Sequence, residues 1–135
     1  MQNLKKNLVY FFKSKWVFKK PDRKKVLIYD GVGSELFFKH IYRRDCEIYY
    51  NRGEFVNLYV LFYSIYKNGI YNLKKNYKRS FFNFVKPKIA ITFIDNNPAF
   101  YKLKKEFPKI ILLSIQNGVR SDKDLIDIQK GSETN

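Results

Sequence analysis

Four short apolar runs, each closed by polar or glycine residues, set the narrowest limit on what this chain can fold into. They read Lys-Val-Leu-Ile-Tyr-Asp (Lys25–Asp30), Glu-Ile-Tyr-Tyr-Asn (Glu47–Asn51), Lys-Ile-Ala-Ile-Thr-Phe-Ile (Lys88–Ile94) and Ile-Ile-Leu-Leu-Ser-Ile (Ile110–Ile115). Runs this short, β-branched and bounded by turn residues, suit strands buried on both faces. The segments between them read as helices. One is expected over about 35–43 with Ser34 as its cap, and another over Phe55–Lys67, ended by Asn68-Gly69. A third is expected over Tyr71–Val85, closed by Lys86-Pro87. A fourth starts at Pro98 behind Asn97 as N-cap, reaches about Phe107 and stops at Pro108. Strands alternating with helices predict an α/β domain. The expected architecture is a Rossmann-like open parallel sheet of about four strands with flanking helices and right-handed crossovers.

The length of 135 residues fits one domain, and 45% hydrophobic and 19% aromatic residues exclude a disordered composition. One cysteine, Cys46, excludes a disulfide framework and suits a reducing cytoplasm. Directly before an apolar strand, that thiol reads as packing. The formal charge of +15 draws polyanions such as nucleic acid, anionic lipid or phosphorylated substrates, and it also fits the Lys-rich surface that an AT-rich genome encodes. Arg occurs only six times, which argues against nucleic acid, where bidentate Arg contacts dominate. The start Met1–Lys6 is polar, and the apolar run after it is broken by Lys13 and Lys15, so it does not read as a secretory signal. The longest apolar run, Phe55–Tyr66, is 12 residues and holds Asn57 and Ser64, well short of the ~20 of a membrane span. It reads as a buried or interfacial helix. The expected location is the cytoplasm, with peripheral attachment to the inner face of the membrane.

Residues 1–23 form a basic aromatic segment. It reads either as an amphipathic helix on an anionic membrane, with Phe12 and Trp16 at headgroup level, or as a helix packed on its own domain. Residues 24–125 are the expected Rossmann-like domain. Residues 126–135 read as a frayed polar tail.

In parallel sheets ligands bind beyond the carboxyl ends of the strands, and polar residues gather there. Gly31, Gly33 and Ser34 make a glycine loop after the first run. It lacks the third glycine of a dinucleotide fingerprint and the Gly-Lys-Ser/Thr of a P-loop, and reads as an anion-holding turn or a plain tight turn. Arg52 and Glu54 follow the second run. Arg52 suits a phosphate or carboxylate, or an ion pair with Glu54 or Glu35. Asp95, Asn96 and Asn97 follow the third. Asp95 is the candidate catalytic residue, as a base or as a group orienting a sugar hydroxyl, and Asn96 and Asn97 offer amides or a helix cap. The sharpest signal is Ser114–Arg120, where Gln116 and Asn117 can each donate and accept, Gly118 permits close approach, and Arg120 can hold phosphate. His40 is the only histidine, and no metal-ligating set stands out.

The stretch Lys88–Ser121 resembles the UDP-N-acetylglucosamine 2-epimerase pattern. There one strand ends in Gly-Asp and the next in His-x-Glu-Ala-Gly-Leu-Arg-Ser. Asp95, Gly118, Arg120 and Ser121 match it, while Ser114 and Gln116 stand where that family has His and Glu. An amide cannot move a proton as a carboxylate does, which argues against epimerase chemistry. A closer resemblance covers roughly residues 25–125. Val-Leu-Ile-Tyr-Asp, Tyr-x-Arg-Gly-Glu, Ile-Thr-Phe-Ile-Asp-Asn and Ile-Gln-Asn-Gly-x-Arg are similar to surface-carbohydrate (O-antigen) biosynthesis proteins. That resemblance implies the N-terminal, acceptor-side half of a GT-B-like, glycosyltransferase-like protein, truncated or split, with a nucleotide sugar as substrate and no tightly bound cofactor. It implies a C-terminal donor-binding domain or subunit as partner. The other reading is a non-enzymatic basic module on anionic membrane or nucleic acid.

Overall fold

The computed structural model describes residues 14–116. In chain order the strands are β1 (Lys15–Val17), β2 (Val26–Tyr29), β3 (Cys46–Tyr49), β4 (Phe55–Asn57), β5 (Ile89–Thr92) and β6 (Ile111–Ser114). The helices are α1 (Ser34–Phe37), α2 (Leu58–Asn68), α3 (Leu73–Val85), α4 (Pro98–Tyr101) and α5 (Leu103–Glu106), with a 3-10 turn at Arg43–Asp45. All four expected runs are strands, and they form one parallel sheet in the order β3-β2-β5-β6. The chain is therefore mixed α/β, with a sheet compatible with a Rossmann-like fold.

Alternation along each strand sorts the core into two layers. Leu27 and Tyr29 point to one face and meet Val60 of α2, Phe81, Phe82 and Val85 of α3, and Phe100 and Leu103 of α4 and α5. Ile28, Cys46, Ile91 and Phe93 point to the other, against Phe37 and Phe38. Helices on both faces explain why Leu27, Ile28 and Tyr29 in succession are all 0% exposed, as the continuous apolar run requires. Tyr29 is held between Tyr49 and Phe100, with ring centroids 5.5 Å away in each case. Burial of Cys46 raises its thiol pKa, so it is a packing thiol rather than a reactive one. Cover is incomplete at β6. Ile111 and Leu113 pair in register with Ile89 and Ile91, on the face that carries α1, yet remain 61% and 48% exposed.

The helices depart from expectation in four places. The helix expected over about 35–43 is only Ser34–Phe37. Its N-cap is Gly33 rather than Ser34, whose side chain makes no capping bond and lies buried. The helix expected from Phe55 starts at Leu58, because Phe55–Asn57 pairs as a strand with Lys15–Val17. Asn57 then caps α2, its Oδ1 accepting the Val60 amide at 3.1 Å. The third begins at Leu73, after Asn72 in the left-handed region. The fourth is two short helices joined at Lys102, although Asn97 caps α4 and Pro98 opens it as expected. Residues 15–17 are a strand, so no helix spans the whole 1–23 segment. No helix among the described residues is long and apolar enough to cross a membrane.

Candidate functional site at the carboxyl ends of the strands

The strand order has one reversal of direction. From β2 the chain moves outward to β3, and from β5 it moves outward the other way to β6. The chain therefore leaves β2 and β5 in opposite directions, and in such sheets the switch point between two such strands is the usual ligand position. Asp30–Ser34 lies on the β2 side of that point and Phe93–Asn97 on the β5 side, and the two meet where Gly33 packs on Phe93.

The glycine loop is fixed by close packing on both sides. A Cβ on Gly31 would come within 2.9 Å of Tyr50 Cε1 and 3.2 Å of Ile48 Cγ2. A Cβ on Gly33, at φ +76°, would come within 3.0 Å of Phe93 Cβ. The loop thus touches the end of β3 with one glycine and the end of β5 with the other. Both glycines serve the protein's own packing, which favours the tight-turn reading over the anion-holding one. Two loop contacts are internal as well: the Ser34 amide donates to the Gly31 carbonyl and the Leu36 amide to the Gly33 carbonyl, each at 3.2 Å.

Asp30, which closes β2, was outside the expected site residues. It sits at φ +65° and is 1% exposed. Arg52 Nε donates to its Oδ2 at 2.9 Å, so Arg52 pairs with neither Glu54 nor Glu35. The Arg52 side chain is 55% exposed, within reach of an anionic ligand. The other carboxylate oxygen, Oδ1, is buried without a hydrogen-bond donor. A left-handed aspartate with an open, buried oxygen is costly in two ways, since both the backbone and the desolvated acceptor go uncompensated. Glu54 has an exposed side chain and uses its carbonyl to accept the Lys15 amide at 2.8 Å.

On the β5 side, Tyr101 of α4 was also not foreseen. Its hydroxyl donates to the Asp95 carbonyl at 2.6 Å and lies 3.2 Å from Ser114 Oγ. One side chain thereby joins the loop after β5 to the last residue of β6. Asp95 is half-buried, Asn96 exposed and Gln116 exposed, and Asp95 and Gln116 take part in further contacts. The Asn97 side chain is used on the Ala99 amide at 3.0 Å, so its amide acts as a cap. Asn117, Gly118 and Arg120 lie outside the described residues. His40 is exposed on the turn after α1.

The carboxyl ends of the strands carry carboxylates (Asp30, buried, and Asp95), hydroxyls (Tyr101, Ser114), a carboxamide (Gln116) and one guanidinium (Arg52). That set suits recognition of a hydroxyl-rich ligand with an anionic substituent. Among the described residues, no cluster of His, Cys, Asp and Glu is arranged to hold a metal ion. No protein-family model, curated protein or solved structure matches the chain.

Proposed function

We propose that this domain binds a sugar at the carboxyl ends of its strands, as the N-terminal, acceptor-side half of a glycosyltransferase-like protein of surface-polysaccharide biosynthesis. The observation that carries the reading is the reversal of strand order between β2 and β5, with Asp95, Tyr101, Ser114 and Gln116 at the ends of β5 and β6 and Asp30–Arg52 at the ends of β2 and β3. In this reading Asp95 and Gln116 take the sugar hydroxyls, and Arg52 takes a phosphate or carboxylate of the ligand. Asp95 is the group placed to orient or deprotonate an acceptor hydroxyl. The nucleotide-sugar donor is held mainly by a C-terminal GT-B-like domain or subunit. The reduced, buried Cys46 suits work in the cytoplasm.

Saturation-transfer NMR with nucleotide sugars and with free oligosaccharides tests the proposal. Sugar protons should saturate, and Asp95→Ala should weaken binding about 10- to 100-fold, the worth of a hydrogen bond to a charged group. If no sugar saturates, or if Asp95→Ala binds as the parent does, the proposal fails.

A further inference from the structure

Helix α2 is apolar on two sides. Val60 and Ser64 face the core at 0% exposure, as a packed helix requires. Tyr59, Phe62, Tyr63 and Tyr66 recur at helical spacing on the opposite side, at 40%, 63%, 37% and 85% exposure. A surface helix of a globular domain ordinarily turns charged residues outward there. An outward stripe of aromatic rings on one helix is instead the mark of a face that another phase or molecule covers.

What lies beside that stripe identifies the partner. Phe84, at the end of α3, meets Tyr59 and Tyr63 edge-on at 5.6 and 4.8 Å between ring centroids. The Lys20 ammonium stands 5.5 Å from the centroid of the same Phe84 ring. Phe84 and Lys20 also line an open groove of about 560 Å³, together with Lys19, Arg23 and Lys86. Asp22 is the single acid of that groove, and Lys19 pairs with it at 2.9 Å. The groove lies before β2 and before β5, at the amino ends of the strands, opposite the site described above.

We infer that this end of the molecule docks on the surface of an anionic bilayer, with lipid phosphates in the Lys20–Arg23–Lys86 groove and the α2 rings at headgroup depth. Tyr side chains are suited to that depth, with an apolar body and a polar tip. Lysines beside them gain from the negative surface potential. A second copy of the chain is a poor occupant. Two-fold pairing through this face would set one cationic groove against another on chains of charge +15 each. The inference stands on the amino end alone and does not depend on the sugar reading.

Flotation of the protein with vesicles of phosphatidylglycerol in phosphatidylcholine, against phosphatidylcholine alone, tests it at about 0.15 M salt. The parent should float only with the anionic vesicles. Trp16, the chain's only tryptophan and 44% exposed on β1, should shift its emission to the blue on binding. Lys20→Ala and Arg23→Ala should each weaken binding about fivefold. Phe62→Ser with Tyr66→Ser, at sites too exposed to affect folding, should abolish the emission shift. Four results overturn the inference. They are equal flotation with neutral vesicles, retention of binding in the Phe62/Tyr66 variant, displacement from vesicles by a single-stranded oligonucleotide, and a parent dimer that dissociates on Phe62→Ser.

Discussion

Removing Arg52 and removing Asp30 should have unequal consequences, although the two side chains share one ion pair. Arg52→Ala leaves the Asp30 carboxylate 1% exposed with neither oxygen paired. Breaking a fully buried pair from one side costs about 3–5 kcal/mol. Here the guanidinium side is 55% exposed and screened by water, which lowers the expected loss to about 2 kcal/mol. Asp30→Gly deletes the same ion pair and more. It relieves a non-glycine residue at φ +65°, worth about 1–2 kcal/mol, and removes the open Oδ1, worth about 1–3 kcal/mol. Against that stand the lost pair and the extra chain entropy of glycine, about 0.5–1 kcal/mol. Asp30→Gly should therefore fold within about 1 kcal/mol of the parent. In its background Arg52→Ala should cost almost nothing, a coupling of about 2 kcal/mol.

Urea unfolding of the four proteins, compared at constant m, measures all these terms. Additive losses, or an Asp30→Gly variant as damaged as Arg52→Ala, would refute the argument and make Asp30 a structural latch.

Further tests probe the packing and the buried charges. Gly33→Ala should cost about 2–5 kcal/mol, because a left-handed backbone and a clash with Phe93 add. Gly53→Ala, at φ +84° with nothing within 4 Å, should cost only the backbone share of about 1–2 kcal/mol, and equal urea midpoints for the two would refute the clash. Burial raises the Tyr29 phenol to about 12 from an ordinary value near 10. Its stabilisation is thus complete below about pH 10 and is lost as pH climbs from there toward 12, at about 1.4 kcal/mol per unit. Burial raises the Tyr49 and Tyr77 phenols as well, so in an alkaline titration of stability Tyr29→Phe should lower the slope by its one-group share without removing it, and at neutral pH it should cost little, because the hydroxyl it removes is buried and unpartnered. Lys78 and Glu106, 15% and 19% exposed and 2.8 Å apart, tie α3 to α5. Glu106→Gln alone should cost about 3 kcal/mol, and Lys78→Met with Glu106→Leu should be close to neutral by thermal melting.

The sheet was legible because its signal is local. Each strand run carries its own β-branched core and its own polar stop, and each strand of the four-stranded sheet lies inside its expected range or one residue from it. The β1–β4 pair was not legible, because Phe55–Asn57 continues an apolar run into α2 with no change in composition. Only the distant partner Lys15–Val17 makes it a strand. Asp30–Arg52 was hidden for the same kind of reason. The pair forms because β3 lies beside β2 with Tyr29 opposite Tyr49, which places the residues after each strand together. Nothing in one sequence states which strands are neighbours. Tyr101 reads as an ordinary helix residue until α4 is set against β6. The loop richest in candidate groups, Ser114–Arg120, has only Ser114–Gln116 among the described residues, and these sit at and just past the end of β6, as the strand-end rule expects.

The charge of the chain makes more sense once the two ends of the sheet are separated. At the carboxyl ends the groups are carboxylates, hydroxyls and an amide, with Arg52 already engaged by Asp30. At the amino ends Lys19, Lys20, Arg23 and Lys86 stand around one groove with a single acid among them, beside an aromatic helix face. Had lysine merely filled the surface through coding bias, cations would have no reason to collect beside exposed rings. A domain held by its amino end to an anionic surface presents the carboxyl ends of its strands away from that surface. Charge reversal at Lys20 and Arg23 should therefore weaken vesicle binding and leave sugar binding at Asp95 unchanged, whereas joint loss would show that the two ends are not independent.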